Sequence, residues 1–296
     1  MMAPQRVNAQ GVVMFARFSR SWNLVKASAG VLMQDQELLL FPLISTGAMV
    51  VVFACFALPV IGLGALDGLA GGNDSRISAA MYVVGFLFYA VHYFVIFFFN
   101  TALVGAAMMR LDGGNPTLGD GLRIATSKIG VIAGYAVIAA TVGMILRAIE
   151  ERVGFIGRII VGLLGVGWTL ATYLVVPVLA ARDVGPIDAI KESATLLKKT
   201  WGENVIGQVG IGLAFGFVVL GVVLCGLFLV IVAALSQSTF LIVSALVLSV
   251  LAVGITLLVQ GALTGIYAAA LYRYASTGEG SQGFDANTLK LAFAPK

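Results

Sequence analysis

Phe240–Leu271 reads FLIVSALVLSVLAVGITLLVQGALTGIYAAAL, and no Asp, Glu, Lys or Arg interrupts it. A bilayer core about 30 Å thick needs roughly 20 apolar residues at about 1.5 Å of helix rise each, so a run this long and this clean reads as a membrane span. A core helix of a soluble protein is excluded by composition. Of 296 residues, 60% are hydrophobic and 11% charged, whereas an average soluble domain is about 25% charged.

Outward from that run, five more segments meet the same test: Leu38–Leu66, Ala79–Met109, Ile129–Leu146, Ile159–Ala181 and Val205–Leu235. The predicted fold is therefore an all-α polytopic membrane protein, with six transmembrane helices in three hairpins and cytoplasmic amphipathic helices. Its parts are an N-terminal arm over residues 1–37, a membrane domain over 38–272 and a C-terminal tail over 273–296. Pro59 and Pro177 fall inside spans and are expected to kink them. The only apolar run near the start, Val12–Phe15, is followed at once by Arg17 and Arg20, so no cleaved signal peptide is expected.

Short basic segments resist translocation, so the distribution of Lys and Arg sets the orientation. Fourteen lie in the N-terminal arm (Arg6, Arg17, Arg20, Lys26), the second and fourth loops and the C-terminal tail. Four lie on the opposite side: Arg76, Arg147, Arg152 and Arg158. Both termini are thus expected in the cytoplasm. The net charge of +4 is spread over loops and forms no basic stripe, which argues against nucleic acid as a partner.

Each odd-numbered span follows a segment with helical apolar spacing. In the arm, Phe15, Phe18, Trp22, Val25, Ala29 and Leu32 share a face, with Arg17 and Arg20 opposite and Lys26 left to snorkel. The fourth loop repeats the pattern in Ile187, Ile190, Ala194, Leu197 and Trp201, opened by Pro186, with Lys191, Lys198 and Lys199 off the stripe. A weaker version, opened by Pro116, is Leu118, Leu122, Ala125 and Ile129. Ser21, Leu24, Lys26, Ser28 and Gly30 align without a gap on Ser193, Leu196, Lys198, Thr200 and Gly202. Two readings fit: a helix-plus-hairpin unit used three times, or interfacial helices arising independently wherever a basic segment enters a membrane.

The string Arg20-Ser21-Trp22-Asn23-Leu24-Val25-Lys26-Ala27-Ser28, followed by Asp35-Gln36-Glu37-Leu38-Leu39-Leu40-Phe41-Pro42, resembles the opening of a family of uncharacterised prokaryotic membrane proteins known as a domain of unknown function. Gly185-Pro186-Ile187-Asp188-Ala189-Ile190-Lys191-Glu192-Ser193 is similar to that family's second recognisable stretch. The resemblance implies a multispan protein of the bacterial inner membrane. It brings no activity and no catalytic residues.

Few groups are suited to chemistry. There is a single histidine, His92, and the two cysteines, Cys55 and Cys225, lie in apolar runs. A His-based metal cluster, a disulfide framework and a serine–histidine–carboxylate set are all unsupported. No catalytic residue, metal or cofactor is expected. His92 lies among aromatic residues of the second span, two helical turns from Asn100, where it could line a polar pocket or bond to a carbonyl, Gln208 or Gln260. Thr256, Gln260 and Thr264 form a polar stripe on the sixth span, suited either to a cleft or to bonds across helices. Gly130/Gly134, Gly212/Gly216 and Gly261/Gly265 are spaced for close helix approach. Arg147 and Glu151 are spaced for an i,i+4 ion pair in the third loop.

The leading expectation is a non-enzymatic scaffold, assembly partner or organiser of lipid. Its inner-leaflet surface would comprise Arg17, Arg20, Trp22, Lys26, Lys191, Lys198, Lys199 and Trp201. Anionic membrane lipids are the expected partner, with a protein partner or self-association as the other class. The alternative is a channel or permease for a small neutral or lipid-like solute, with His92, Asn100, Gln208 and Gln260 lining the path.

Overall fold

The computed structural model describes residues 25–62, 75–201, 206–279 and 284. Six of its helical segments are long and apolar enough to cross a membrane, and no β-strand occurs among the described residues. Residues 25–34 are helical and a 3₁₀ turn follows at Gln36–Leu39. The helices after it are α1 (Leu40–Gly62), α2 (Ser75–Leu111), α3 (Leu118–Ser127), α4 (Ile129–Glu150), α5 (Phe155–Ala171), α6 (Val175–Ala181), α7 (Pro186–Trp201), α8 (Ile206–Leu235) and α9 (Thr239–Thr277).

The side chains facing out from the spans are those a bilayer would solvate. Phe53, Leu58, Phe155, Leu163, Phe228 and Leu251 are all exposed. Apolar bands this extensive do not face water in a soluble monomer, whereas lipid tails solvate them at no cost. The chain is a multi-pass membrane protein.

The chain divides into two compact units, one of residues 40–107 and 116–197, the other of residues 1–39, 108–115 and 198–296. In the first, α3 begins at a capping box: the Asp120 N–H donates to the Thr117 hydroxyl, while the Thr117 N–H donates to the Asp120 carboxylate at 3.1 Å. Both bonds satisfy amides that a helix start otherwise leaves bare. Gly121, one residue on, allows the closest approach in the unit. A Cβ there would stand 2.4 Å from Phe41 Cζ and 2.7 Å from the Ala102 carbonyl oxygen. Around α4 the core consists of Ile132, Tyr135, Ala136, Ala139 and Ala140. Phe97 packs on Tyr135 with ring centroids 4.5 Å apart.

The fourth span departs from expectation. In place of one kinked helix from Ile159 to Ala181, the chain starts at Phe155, stops at Ala171 and restarts at Val175. The cause lies downstream of the gap. Pro177 has no N–H to donate to the carbonyl of Tyr173, and its ring would crowd that carbonyl. It is tolerated as the third residue of α6, where a helix start needs no donor. By contrast, Pro59 is accommodated inside α1 near its C-terminal end. The third span runs on to Glu150, so Arg147 lies in its last turn, where a cation offsets the negative helix end. Val205 and residues 63–66, expected at span ends, lie outside the described residues.

In the second unit α8 and α9 pack along their lengths. They approach closely at Gly226, where a Cβ would stand 2.9 Å from Ser249 Cβ and Oγ. The Ser249 hydroxyl donates to the Gly226 carbonyl at 3.2 Å and to that of Ala245 at 2.7 Å. α9 ends at Gly278, left-handed at φ 76°, the conformation glycine adopts without penalty. At about 1.5 Å per residue its 39 residues are far longer than a bilayer core. Its final stretch, Ala262 to Ala275, is largely buried within the protein.

Candidate functional site

The polar chemistry of the first unit gathers where its helices end. Ser193, on α7, is fully buried and accepts the Leu174 N–H at 3.0 Å. It therefore caps the amide that the break in the fourth span exposes. The buried residues of α7 are Ala189, Ser193 and Leu197, four apart, so they form a straight stripe. Ile187, expected on the apolar face, is 58% exposed. The face turned to the protein is thus rotated from the one that apolar spacing selects, because the break needs a hydroxyl more than the core needs another aliphatic group.

Beside α7, Lys128 donates to the Arg182 carbonyl at 3.2 Å and is paired with Asp183. Arg182 bonds Glu192 at 2.6 Å. Lys191 pairs with Asp188 and Arg123 with Asp120, each at i,i+3. Asp120 is held below the ordinary carboxylate range, chiefly by the Thr117 hydroxyl and then by the Thr117 backbone N–H. At the far end of α4, Arg147 pairs with Glu151 as their i,i+4 spacing predicts and also donates to the Tyr89 hydroxyl at 2.9 Å.

The second unit has its own cluster. Arg110, in the last turn of α2, donates to the Gln34 side chain at 3.2 Å and to the Gly114 carbonyl at 3.0 Å. Asp112 pairs with Arg273 of α9. Asp35 is buried, and one of its carboxylate oxygens has no hydrogen-bond partner. Burial raises its pKa, with the Glu37 N–H and the Arg110 charge acting against that rise. Val25, Ser28, Val31, Leu32 and Asp35 form the buried face of the segment leading into the first span. Of the apolar face expected there, Val25 and Leu32 are buried and Ala29 is half-buried, while Lys26 is exposed. Phe15, Arg17, Phe18, Arg20 and Trp22 lie outside the described residues.

The remaining candidates are dispersed. His92 is half-buried, with its ring 5.6 Å from that of Phe88 and 6.5 Å from that of Tyr93, and Asn100 is exposed. Thr256 and Thr264 spend their hydroxyls on the carbonyls of Ala252 and Gln260, four residues back on their own helix. The side chains of Gln208, Lys199 and Trp201 lie outside the described residues, and so does the space around Gly212. Lys198 is exposed. A Cβ on Gly134 would stand 3.2 Å from the Pro186 ring, whereas one on Gly130 or Gly216 would meet nothing within 4 Å. Gly261 is exposed and Gly265 half-buried. Among the described residues no three His, Cys, Asp or Glu side chains stand together as a metal site.

Sequence reasoning missed Ser193, Asp35, Arg110 and Gly121 as positions that matter. A signal existed for the first: a proline inside a span favours a break, the restarted helix begins with N–H groups that have no acceptor, and a serine on an adjoining helix can accept from one of them. None existed for Gly121, whose neighbours Phe41 and Ala102 are remote in sequence.

Six apolar helices, lipid-facing flanks and polar networks at the helix ends define a helical multi-pass membrane protein. No curated protein matches the chain. Its sequence does match the profile of DUF6159, a family of unknown function, over residues 79–284, and the protein belongs to that family. The Gly185–Ser193 stretch falls within the match, while the strings over residues 20–42 precede it.

Proposed function

We propose that the protein is a non-enzymatic component of the inner (cytoplasmic) membrane, with both termini cytoplasmic, that acts as a scaffold, an assembly partner or an organiser of anionic lipid. The observation that carries this reading is the exposure of basic side chains beside the spans. Lys26 and Lys198 are exposed, and the side chains of Arg123 and Lys191 are 78% and 72% exposed. The opposite faces of their helices carry buried residues. A cation near a headgroup layer attracts anionic lipid by about 1 kcal/mol within a Debye length, and by less at Arg123 and Lys191, whose partners Asp120 and Asp188 offset part of the charge.

Reconstitution in nanodiscs of mixed phosphatidylglycerol and phosphatidylcholine tests it. The wild type should retain phosphatidylglycerol preferentially on delipidation, and the variant carrying Lys26→Gln, Arg123→Gln, Lys191→Gln and Lys198→Gln should lose most of that preference. Equal lipid composition around both proteins would sink the lipid reading. Labelling intact cells with an impermeant maleimide, after placing a cysteine at Ser236 or Glu279 in a Cys55→Ser, Cys225→Ser background, tests the orientation. Only the Ser236 position should react.

A second reading, a channel or permease for a small neutral or lipid-like solute, is favoured by the break in the fourth span, since discontinuous helices build many transporter sites. Solute flux in proteoliposomes that responds to Ser193→Ala would support it. Absence of flux for any neutral solute tried would count against it.

A further inference from the structure

We propose that Asp35 is a proton-sensitive hinge: the helical segment over residues 25–34 stays packed in its unit while the Asp35 carboxyl keeps its proton, and is released when that proton leaves. Asp35 is the one non-helical residue between that segment and the 3₁₀ turn at Gln36–Leu39. The hydrogen bonds that carry the chain through it are long. Its N–H donates to the carbonyls of Val31 and Leu32 at 3.2 and 3.3 Å, and its carbonyl accepts the Leu38 N–H at 3.4 Å, against about 2.9–3.0 Å for a usual amide bond. What holds the segment is its buried face, Val25, Ser28, Val31 and Leu32, while Lys26, Met33 and Gln34 are exposed. Asp35 continues that buried face and is the ionisable group on it.

Three buried side-chain atoms lack a hydrogen-bond partner among the described residues: Asp35 Oδ2, Arg110 Nε and Arg273 Nη1. All three fall in the second unit. Arg273 still has the charge of Asp112 against it. Arg110 is committed elsewhere, with its terminal nitrogens on the Gln34 side chain and the Gly114 carbonyl, and its charge acts on Asp35 without an ion pair between them. Among the described residues the other charge acting on Asp35 is that of Glu37, which has the same sign. From α9, which packs against the turn, come the paired Arg273 and the phenols of Tyr267, Tyr272 and Tyr274. A neutral carboxyl is tolerated in such a place. A carboxylate there is a buried charge with one bare oxygen, which is costly to keep, and release of the segment returns it to water. Burial accordingly holds the Asp35 pKa above its ordinary 3.8.

The inference goes beyond the lipid reading and does not depend on it. The full-length protein in nanodiscs is followed by hydrogen exchange from acidic to neutral pH, each amide corrected for its intrinsic rate. Below the ordinary value of 3.8 the packed and released forms are both protonated, so opening of residues 25–34 should not vary. Between 3.8 and the raised value of the packed form only the released form ionises. The opening constant should there climb by about tenfold per pH unit and level off above that window. Asp35→Asn and Asp35→Ala should both abolish the climb, whatever level of exchange each starts from. Glu37→Gln, whose backbone N–H still serves Asp35, should keep it. A flat wild-type profile would overturn the proposal; it is the result expected if Arg110 leaves Gln34 to pair with the ionised carboxylate. A climb that survives in both Asp35 variants, or that vanishes in Glu37→Gln, would overturn it as well by placing the proton elsewhere. Retention of phosphatidylglycerol is read in a separate assay, so the hinge can fail while the surface reading survives, or the reverse.

Discussion

The hydroxyl of Ser193 accepts the backbone N–H of Leu174 at 3.0 Å, and both residues are completely buried. One side chain thus closes the gap that Pro177 opens in the fourth span and ties α7 to it. Irregular backbone at membrane depth persists only where its polar groups are met by protein or water, and here protein meets the amide.

Ser193→Ala should therefore leave a buried donor without an acceptor, at a cost of about 1–3 kcal/mol. Thermal unfolding of the reconstituted protein should show a lower midpoint, and hydrogen exchange should quicken first at Leu174 and Val175. A midpoint equal to that of the wild type would mean the bond contributes no net stability.

The glycines divide by what surrounds them. Gly121→Ala forces a methyl against the Phe41 ring and the Ala102 carbonyl, and backbone cannot move aside as a side-chain tip can. Overpacking of this kind costs about 1–3 kcal/mol. Gly216→Ala, with nothing within 4 Å, should be neutral or stabilising by up to about 1 kcal/mol, the penalty a helical glycine carries. Comparable losses for the two substitutions, measured by thermal midpoint, would refute the distinction.

Two carboxylates respond to pH with opposite sign. Asp35 is shifted upward by burial from 3.8. Its contribution to stability is thus fully present below about pH 3.8 and lost as pH rises through its folded-state value. Asp120 is shifted downward from 3.8, so its contribution is present above that pH and lost on acidification through its lower folded-state value. The difference in midpoint between wild type and Asp35→Asn should change as pH rises above 3.8. For Asp120→Asn the change should come as pH falls below 3.8. Parallel curves for wild type and either variant would contradict the corresponding assignment.

Arg147 makes the most conspicuous polar contacts of the third loop, to Glu151 and Tyr89, yet both bonds are exposed. Exposed pairs contribute about 0–1 kcal/mol. Glu151→Gln and Tyr89→Phe should each leave the thermal midpoint almost unmoved. A large loss from either would assign that loop a structural role that its geometry does not suggest.

The class of protein and the count of spans follow from local stretches of sequence. Hydrocarbon admits a helix only when some 20 consecutive side chains are apolar, a strictly local condition that Phe240–Leu271 satisfies without reference to the rest of the chain. The Arg147–Glu151 pair was legible for the same reason, since four residues of helix fix its geometry. Tertiary structure alone decided which face of α7 turns inward, because Ile187 and Ser193 compete for burial and the winner depends on a stranded amide at Leu174. It also decided which glycines are in close contact. Gly121 meets Phe41 and Ala102 across long sequence separations, while Gly216 and Gly130, spaced as packing glycines should be, face open space. In a membrane, apolar periodicity loses its power to say what is inside, since lipid welcomes the same side chains as the core does. The discriminating information passes to the few polar atoms that must find partners, and those partners are set by the fold.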